Sequence, residues 1–158
     1  MEPKSPSPGW LGRVFLILVF GVLGSSCGTF RYNRAWSNYE APSTQASVFE
    51  GRWRGTWLSE DNGHKGGLRC IVTPEESGYR AWFRATYGIF SFQYKALYTL
   101  IEQSANHVRF EGEEDLGALF GGLYQYEGEI RGDEFHARYQ AANGDHGVFE
   151  MVRVLDGE

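Results

Sequence analysis

Length, composition and charge already narrow the class of protein. The chain has 158 residues, which is the length of one domain. Its 15 basic and 20 acidic side chains give a net charge of −5, so it lacks the excess of positive charge that nucleic-acid-binding proteins use. Its two cysteines cannot form a disulfide framework and are not spaced as zinc ligands. We therefore expect no metal or other cofactor, no nucleic-acid partner, and a core stabilised by packing alone.

An apolar run over residues 14–24 follows a short polar start that carries Lys4 and Arg13. A bilayer-spanning helix needs about 20 residues, and this run is much shorter. A short basic region, an apolar run and small residues after it are typical of a secretory signal peptide. The sequence therefore predicts export and removal of residues 1–26. Because Glu2 leaves with the two basic residues, the remaining chain is again net acidic.

The residues before Cys27 are Leu23-Gly24-Ser25-Ser26. They resemble the lipobox of bacterial lipoproteins, in which the cysteine after the cleavage site is acylated, for example with palmitate. The resemblance implies a lipid on Cys27 and a cell-envelope protein anchored to a membrane outside the cytoplasm. Two alternatives stay open: an ordinary signal peptidase would accept the same cut and yield a soluble secreted or periplasmic protein, and an uncleaved segment would act as a membrane anchor.

Residues 27–46 are interpreted as the lipidated N-terminus followed by a flexible tether. From residue 28 onward the composition is rich in Ser, Asn, Thr and Gln, includes Pro42 and has no sustained period. A flexible segment of this length spans about 25 Å, enough to hold a domain off a membrane. The patch RYNRAW at residues 31–36 is unusual for a linker and has three interpretations: a sticky part of the tether, a contact with lipid headgroups, or a plug for one end of the domain. Residues 47–158 form the predicted domain.

The domain begins with GRWRGTW at residues 51–57. Trp53 and Trp57 alternate with Arg52 and Arg54, and a period of two places successive side chains on opposite faces of a strand. This stretch is therefore predicted to be a strand that buries two indole rings and exposes its arginines.

Eight strand-like runs separated by turn signals make up the domain, and no long helical period interrupts them. The pattern predicts an all-β, antiparallel up-and-down meander. Closure into a barrel would remove the exposed edges, and eight strands enclose a lumen that is either filled or holds one small ligand. A two-sheet β-sandwich is the alternative fold. The predicted strands cover residues 48–58, 67–73, 79–87, 90–102, 107–113, 122–130, 134–141 and 147–155.

The triplet Gly51-Arg52-Trp53 resembles the G-x-W motif of lipocalins and the wider calycin group. In those barrels the tryptophan closes the base, and a basic residue of the last strand packs across its indole. Arg153 has the corresponding place here, and residues 126–153 also resemble the closing hairpins of calycin-like barrels. The resemblance implies a structural pair of Trp53 and Arg153 at the base and a small, lipid-like ligand.

In an eight-stranded meander the odd-numbered connections share one end. The long, polar loops over residues 59–66, 114–121 and 142–146 are all odd-numbered, so we expect them at one rim. Closure would bring Asp61 and His64 towards Asp145 and His146. These four residues are the candidate rim contacts for a ligand; they could also bind a metal ion or supply an acid and a base, or serve only as turn formers.

Three function classes follow, and the sequence carries no signal for oligomeric state. The preferred one is a non-catalytic envelope lipoprotein whose barrel binds a small apolar or amphipathic ligand, in the lumen or at the rim. The second is a structural lipoprotein with a filled barrel that docks on an envelope partner, and the third is a metal-dependent enzyme at the rim. Cys70 shares a face with apolar residues and is interpreted as core rather than as a nucleophile. The candidate lumen residues are Trp57, Phe83, Tyr94 and Tyr126.

Overall fold

A computed structural model of the protein describes residues 28–40, 47–118 and 121–155. The predicted signal peptide and the predicted lipidation site, Cys27, lie outside the described residues. The chain divides into two compact units, Met1–Ser37 and Asn38–Glu158.

The described part of the first unit is a helix over residues 28–37. The sequence analysis found no sustained period in these residues, whereas the structure has a helix there. Tyr32 and Trp36 lie four positions apart, a spacing that places side chains on the same face of a helix, and their rings stack with centroids 6.1 Å apart. The polar composition hid this pairing. Among the described residues, no helix has the length and apolarity to cross a membrane.

The second unit is a closed barrel of eight antiparallel strands in chain order. Each strand pairs with its neighbours in sequence, and β1 pairs with β8 to close the sheet. The predicted meander and its closure are confirmed, and the β-sandwich alternative is wrong. The strands are β1 (Gly51–Ser59), β2 (Lys65–Glu75), β3 (Gly78–Tyr87), β4 (Phe90–Gln103), β5 (His107–Asp115), β6 (Leu123–Arg131), β7 (Glu134–Ala141) and β8 (His146–Arg153).

Alternation of side chains builds the core. β7 shows it most regularly, since Phe135, Ala137 and Tyr139 are buried while the residues between them are exposed. Cys70 lies opposite Trp53 in the β1–β2 register and is fully buried, as the sequence predicts. Burial raises the pKa of its thiol well above the ordinary value, so the group stays protonated and inert.

Candidate functional site: the mouth of the barrel

The two ends of the barrel differ in what covers them. We call the end that carries the β1–β2, β3–β4, β5–β6 and β7–β8 connections the mouth, and the opposite end, where β1 begins and β8 ends, the base. The base is capped by Phe49, which is fully buried just before β1. Its ring stacks on Phe110 at a centroid distance of 4.7 Å and lies 6.2 Å from Phe135. The base half of the lumen is therefore filled with aromatic rings.

Trp53 and Arg153 complete the base. They are register partners in the β1–β8 pair, and the guanidinium carbon of Arg153 lies 4.2 Å from the centroid of the Trp53 ring. Arg153 also donates to the carbonyl oxygens of Glu50, at 2.6 Å, and Val48, and its Nε lies 2.9 Å from the Asp133 carboxylate. The Trp53 indole N–H donates to the Phe49 carbonyl over 3.1 Å. The polar groups of both side chains are thus paired inside a closed end.

The mouth is open by comparison. Phe83 and Tyr126, in the middle of the lumen, are buried, whereas Trp57, Tyr94 and Tyr124 on the same inner wall are only half-buried. Water therefore reaches the inner wall from the mouth and stops at the middle of the barrel. All four predicted lumen residues line this boundary.

A glycine allows Trp57 to lie across the inner wall. Trp57 is opposite Gly66 in the β1–β2 register, and its indole N–H donates to the carbonyl oxygen of Thr86 on β3 over 3.0 Å. A Cβ atom at position 66 would lie 1.7 Å from that oxygen and 2.8 Å from the indole nitrogen. Only glycine leaves room for a ring that bridges β1 and β3 at the mouth.

Tyrosines also line the inner wall above the base. Tyr98 lies on the base side of the middle, with its ring 5.0 Å from that of Phe110. It is fully buried, and among the described residues its hydroxyl has no hydrogen-bond partner. Burial raises the pKa of Tyr94 and Tyr98 well above the ordinary value, and neighbouring hydroxyl groups raise it further. Burial also raises the pKa of Tyr126. These hydroxyls stay protonated at neutral pH and are available as hydrogen-bond donors and acceptors inside the barrel.

Two carboxylates border the tyrosines. Asp145 accepts a hydrogen bond of 2.6 Å from the Ser59 hydroxyl, and after burial its charge is the next cause that raises the pKa of Tyr139 and Tyr124. Glu114 is half-buried on β5, opposite Tyr124 in the β5–β6 register. The sequence analysis assigned no site role to Glu114 or Tyr124. Counting in steps of two from Phe110 would have placed Glu114 on the inner wall.

The rim loops meet where closure of the barrel requires. The backbone N–H of Glu60 donates to the carbonyl oxygen of His146 over 2.8 Å, which joins the β1–β2 and β7–β8 connections. The four candidate rim residues do not converge on one point, however. The His146 ring lies 3.2 Å from the carbonyl oxygen of Gly144, whereas the His64 ring packs 4.9 Å from the ring of Tyr87. Asp61 is exposed.

Metal binding needs several ligands within reach of one ion. Within the part of the chain that the structure describes, no group of three or more His, Cys, Asp or Glu side chains is arranged to hold a metal ion. The four candidate rim residues thus lie at separate positions around the mouth and do not surround one ion.

The β3–β4 hairpin adds an apolar edge to the mouth that the sequence analysis did not single out. Ile89 at its tip is 94% exposed, and Phe90 next to it is 61% exposed. Tyr87 and Phe92 continue this edge towards the inner wall and are partly exposed as well. Tyr87 and Phe92 occupy positions that alternation assigns to the inward-facing side of β3 and β4. The sequence could not distinguish them from core residues, because nothing in it marks where the lumen ends.

The outer wall carries a different depression. A groove of about 710 Å³ lies across β4 to β8 and is open to solvent. Its acidic lining includes Glu111, Glu113 and Glu127, with Arg138 beside them. It is separated from the lumen by the strands themselves and does not contribute to the mouth.

The fold and the site together define a class: a closed, eight-stranded antiparallel barrel with a sealed base and an open, tyrosine-lined mouth. Comparison with known proteins adds nothing to this, because no protein family, curated protein or solved structure matches the chain.

Proposed function

We propose that the protein is a non-catalytic, lipid-anchored protein of the cell envelope whose barrel binds a small amphipathic ligand at its mouth. The observation that carries the proposal is the gradient along the lumen: aromatic rings fill the base, whereas the same wall is half-exposed at the mouth. Binding sites for small molecules are concave and mainly apolar, with a few polar groups that orient the ligand. The mouth has this composition.

The lining indicates the chemistry of the ligand. Trp57, Tyr94 and Tyr124 offer ring faces to an apolar body. Glu114 and Asp145 can accept hydrogen bonds from the polar end of the ligand, and tyrosine hydroxyls can donate or accept. We therefore infer an amphipathic molecule with an apolar or aromatic body and a hydrogen-bond-donating end.

Kinship with calycins is part of the same proposal. The pair formed by Trp53 and Arg153 has the arrangement that the G-x-W resemblance implies, with the guanidinium over the indole at 4.2 Å. A barrel sealed at one end by this pair is suited to hold a ligand from the other end.

Occupancy of the mouth is tested by native mass spectrometry of the protein purified from its own host. We expect a co-purifying small molecule, and we expect Ala85→Trp to release it. Ala85 is half-buried and faces the inner wall among the mouth residues that pack on the core, so a large ring there fills the opening. Thr99→Trp is the matched control, because Thr99 is exposed on the outer wall of β4. Equal occupancy in the two variants would contradict a ligand site at the mouth.

The proposed lipid anchoring to a membrane is tested separately with the Cys27→Ser variant. If Cys27 carries the lipid, this variant moves from the membrane fraction to the soluble exported fraction, because each buried CH₂ group of an acyl chain contributes about 0.8 kcal/mol of anchoring. Unchanged partition after a carbonate wash would contradict lipidation and favour an uncleaved anchor.

A second candidate function rests on the exposed edge of the mouth. Ile89 and Phe90 expose apolar surface at the tip of the β3–β4 hairpin, which is a feature of surfaces that dock on a partner. Under this second candidate function, the protein is an interaction module of the envelope. Ile89→Asp with Phe90→Ser would then abolish capture of the partner from host membranes but leave occupancy of the mouth unchanged. The ligand-binding function predicts a bound molecule whether or not the edge is altered.

A further inference from the structure

The mouth carries negative charge on its inner side. Glu114 and Asp145 are half-buried there. Among the described strand residues, no inward-facing position between the middle and the mouth is a lysine or an arginine. Arg80 is close enough for the charge of Glu114 to act on it, but it lies on the outer wall and is paired with Glu75. A cleft lined by charges of one sign and by low-dielectric walls concentrates its field, so the mouth attracts cations.

The two carboxylates flank Tyr124. On one side, Tyr124 is opposite Glu114 in the β5–β6 register. On the other side it is opposite Ala141, whose backbone N–H donates to the carbonyl oxygen of Asp145 over 2.7 Å. Burial and then the charge of Asp145 raise the pKa of Tyr124, so this carboxylate acts on the tyrosine directly. A positive group beside Tyr124 would therefore meet a negative charge from each side.

A belt of aromatic rings runs around much of the lumen next to these carboxylates. Its rings come from β3, β4, β6, β7 and β8, and successive centroids are 4.9 to 6.1 Å apart: Tyr94, Phe83, Phe149, Tyr139, Tyr124 and Tyr126. The two ends of the belt are separated by β5, whose inward-facing residues towards the mouth are Gly112 and Glu114. The faces of aromatic rings attract cations, and several rings around one position recognise ammonium groups. The belt with a carboxylate in its gap has this character.

A buried hydroxyl of the belt has unused hydrogen-bonding capacity. Tyr126 is buried, and among the described residues its hydroxyl has no hydrogen-bond partner. Burial is the main cause that raises the pKa of Tyr126, and the charge of Glu114 raises it further, so the hydroxyl stays protonated. Its oxygen can accept a hydrogen bond from an N–H group. Such a bond would offset the cost of burying the hydroxyl without a partner.

We infer that the ligand of the mouth is an organic cation, with an ammonium group held at the aromatic belt by Glu114 and Asp145. The inference rests on the proposed ligand site and specifies its chemistry. The apolar body of the ligand would lie on the half-buried rings of Trp57 and Tyr94. An anionic amphiphile such as a fatty acid is disfavoured, because its carboxylate would lie beside two others.

The test compares three probes that share an aromatic body and differ in the charge of the other end. They are the cation phenethylammonium, the neutral phenethyl alcohol and the anion hydrocinnamate. Each is titrated by calorimetry into the full chain carrying Cys27→Ser, after dialysis to remove any co-purified molecule. We expect the cation to bind at least about ten-fold more tightly than the alcohol, because hydrogen bonds to charged groups are about twice as strong as neutral ones. The anion should bind more weakly than the alcohol.

Glu114→Gln removes the charge from the gap in the belt and keeps the size of the side chain. This variant should weaken the binding of phenethylammonium about ten-fold and leave that of phenethyl alcohol within about two-fold. Glu113→Gln is the matched control, because Glu113 has the same charge one position earlier but is exposed on the outer wall. The control should change the affinity of neither probe. If Glu114→Gln fails to fold, the order of the three affinities in the parent decides.

Equal affinity for the cation and the alcohol, or tighter binding of the anion, overturns the inference. A folded Glu114→Gln variant that binds phenethylammonium like the parent, or that loses cation and alcohol alike, overturns it as well. A neutral or anionic molecule that co-purifies in the mouth and is released by Ala85→Trp would overturn the ammonium class but support the proposed function. Absence of any co-purified molecule together with no binding of any probe at millimolar concentration would overturn both.

Discussion

The base and the mouth of the barrel contain the same kinds of residue but differ in how deeply these residues are buried. At the base, Trp53 and Phe49 are fully buried, and the polar groups of Trp53 and Arg153 are paired. At the mouth, Trp57 and Tyr94 are half-buried, and so is Glu114 on the same inner wall. A closed, densely packed end contributes stability. An open end lined by half-exposed rings and a carboxylate contributes binding, so the comparison divides the barrel into a structural half and a functional half.

The largest difference between the two halves is expected when one tryptophan is truncated at each end of the barrel. We expect Trp53→Ala to lower the free energy of unfolding by about 3–5 kcal/mol, because a fully buried aromatic side chain leaves a cavity. Trp57→Ala should cost only about 1–2 kcal/mol, because part of the ring is already in water. Urea denaturation of both variants measures the difference. Equal losses would show that the two ends are packed alike.

Alkaline pH tests the buried tyrosines. Folding raises the pKa of Tyr94, Tyr98 and Tyr126. Their stabilising contribution is therefore complete below the unfolded pKa of about 10 and is lost as the pH rises through the folded values. As the pH rises past 10 the unfolded chain gives up as many as three protons that the folded chain keeps, so the free energy of unfolding should fall by up to about 4 kcal/mol per pH unit. Denaturation midpoints measured between about pH 8 and 11 report this loss, and a flat profile would contradict buried hydroxyls.

Removing the cation of the base should have a smaller effect. Arg153→Ala should cost about 2–3 kcal/mol, since the side chain binds two carbonyl oxygens and also covers the Trp53 ring. A double-mutant cycle with Trp53→Ala should show coupling between the two positions. Additive losses of unfolding free energy would show that Trp53 and Arg153 do not stabilise the base as a pair. Arg153→Lys serves as the control that keeps the charge.

Tyr98→Phe should be neutral or stabilise the unliganded protein by up to about 1 kcal/mol, because the change removes a buried hydroxyl that lacks a partner. The same change should weaken binding of a ligand that uses this hydroxyl. Thermal melting with and without the co-purified ligand separates the two effects. A clear loss of stability in the unliganded protein would show that the hydroxyl is already satisfied, for example by a buried water molecule.

The smallest effect on stability is expected at the rim. Replacing His64 and His146 together by Ala should leave folding nearly intact, since each exposed loop substitution falls within about ±0.5 kcal/mol. Ligand or partner binding should weaken. A double variant that unfolds would identify the histidines as structural supports, and one that folds and binds normally would identify them as turn residues.

Most of the fold could be predicted because alternation is a local signal. The strand over residues 134–141 was predicted to the residue, and the other strand ends differ by at most three positions. Closure followed from the number of strands and the need to cover edges. The helix over residues 28–37 was missed, because its polar composition carries no sustained hydrophobic period.

The site was harder to predict for a physical reason. Alternation tells which face of a strand a residue occupies but not how deep it lies along the lumen. Glu114 was treated as part of a loop, although the ladder continues past it and places it opposite Tyr124. The exposure of Ile89 at the hairpin tip could not be predicted either. It depends on how far β3 and β4 extend beyond the other strands.

The division between a sealed base and an open mouth can be tested with the two indole N–H groups as reporters. Trp57 donates to the carbonyl oxygen of Thr86 at the mouth, and Trp53 donates to that of Phe49 at the base. In a ¹⁵N-labelled sample, titration with the co-purified ligand, or with a small aromatic amine as probe, should shift the indole resonance of Trp57 and leave that of Trp53 in place. A shift of Trp53 without Trp57, or no shift of either at saturating ligand, would contradict a ligand site at the mouth.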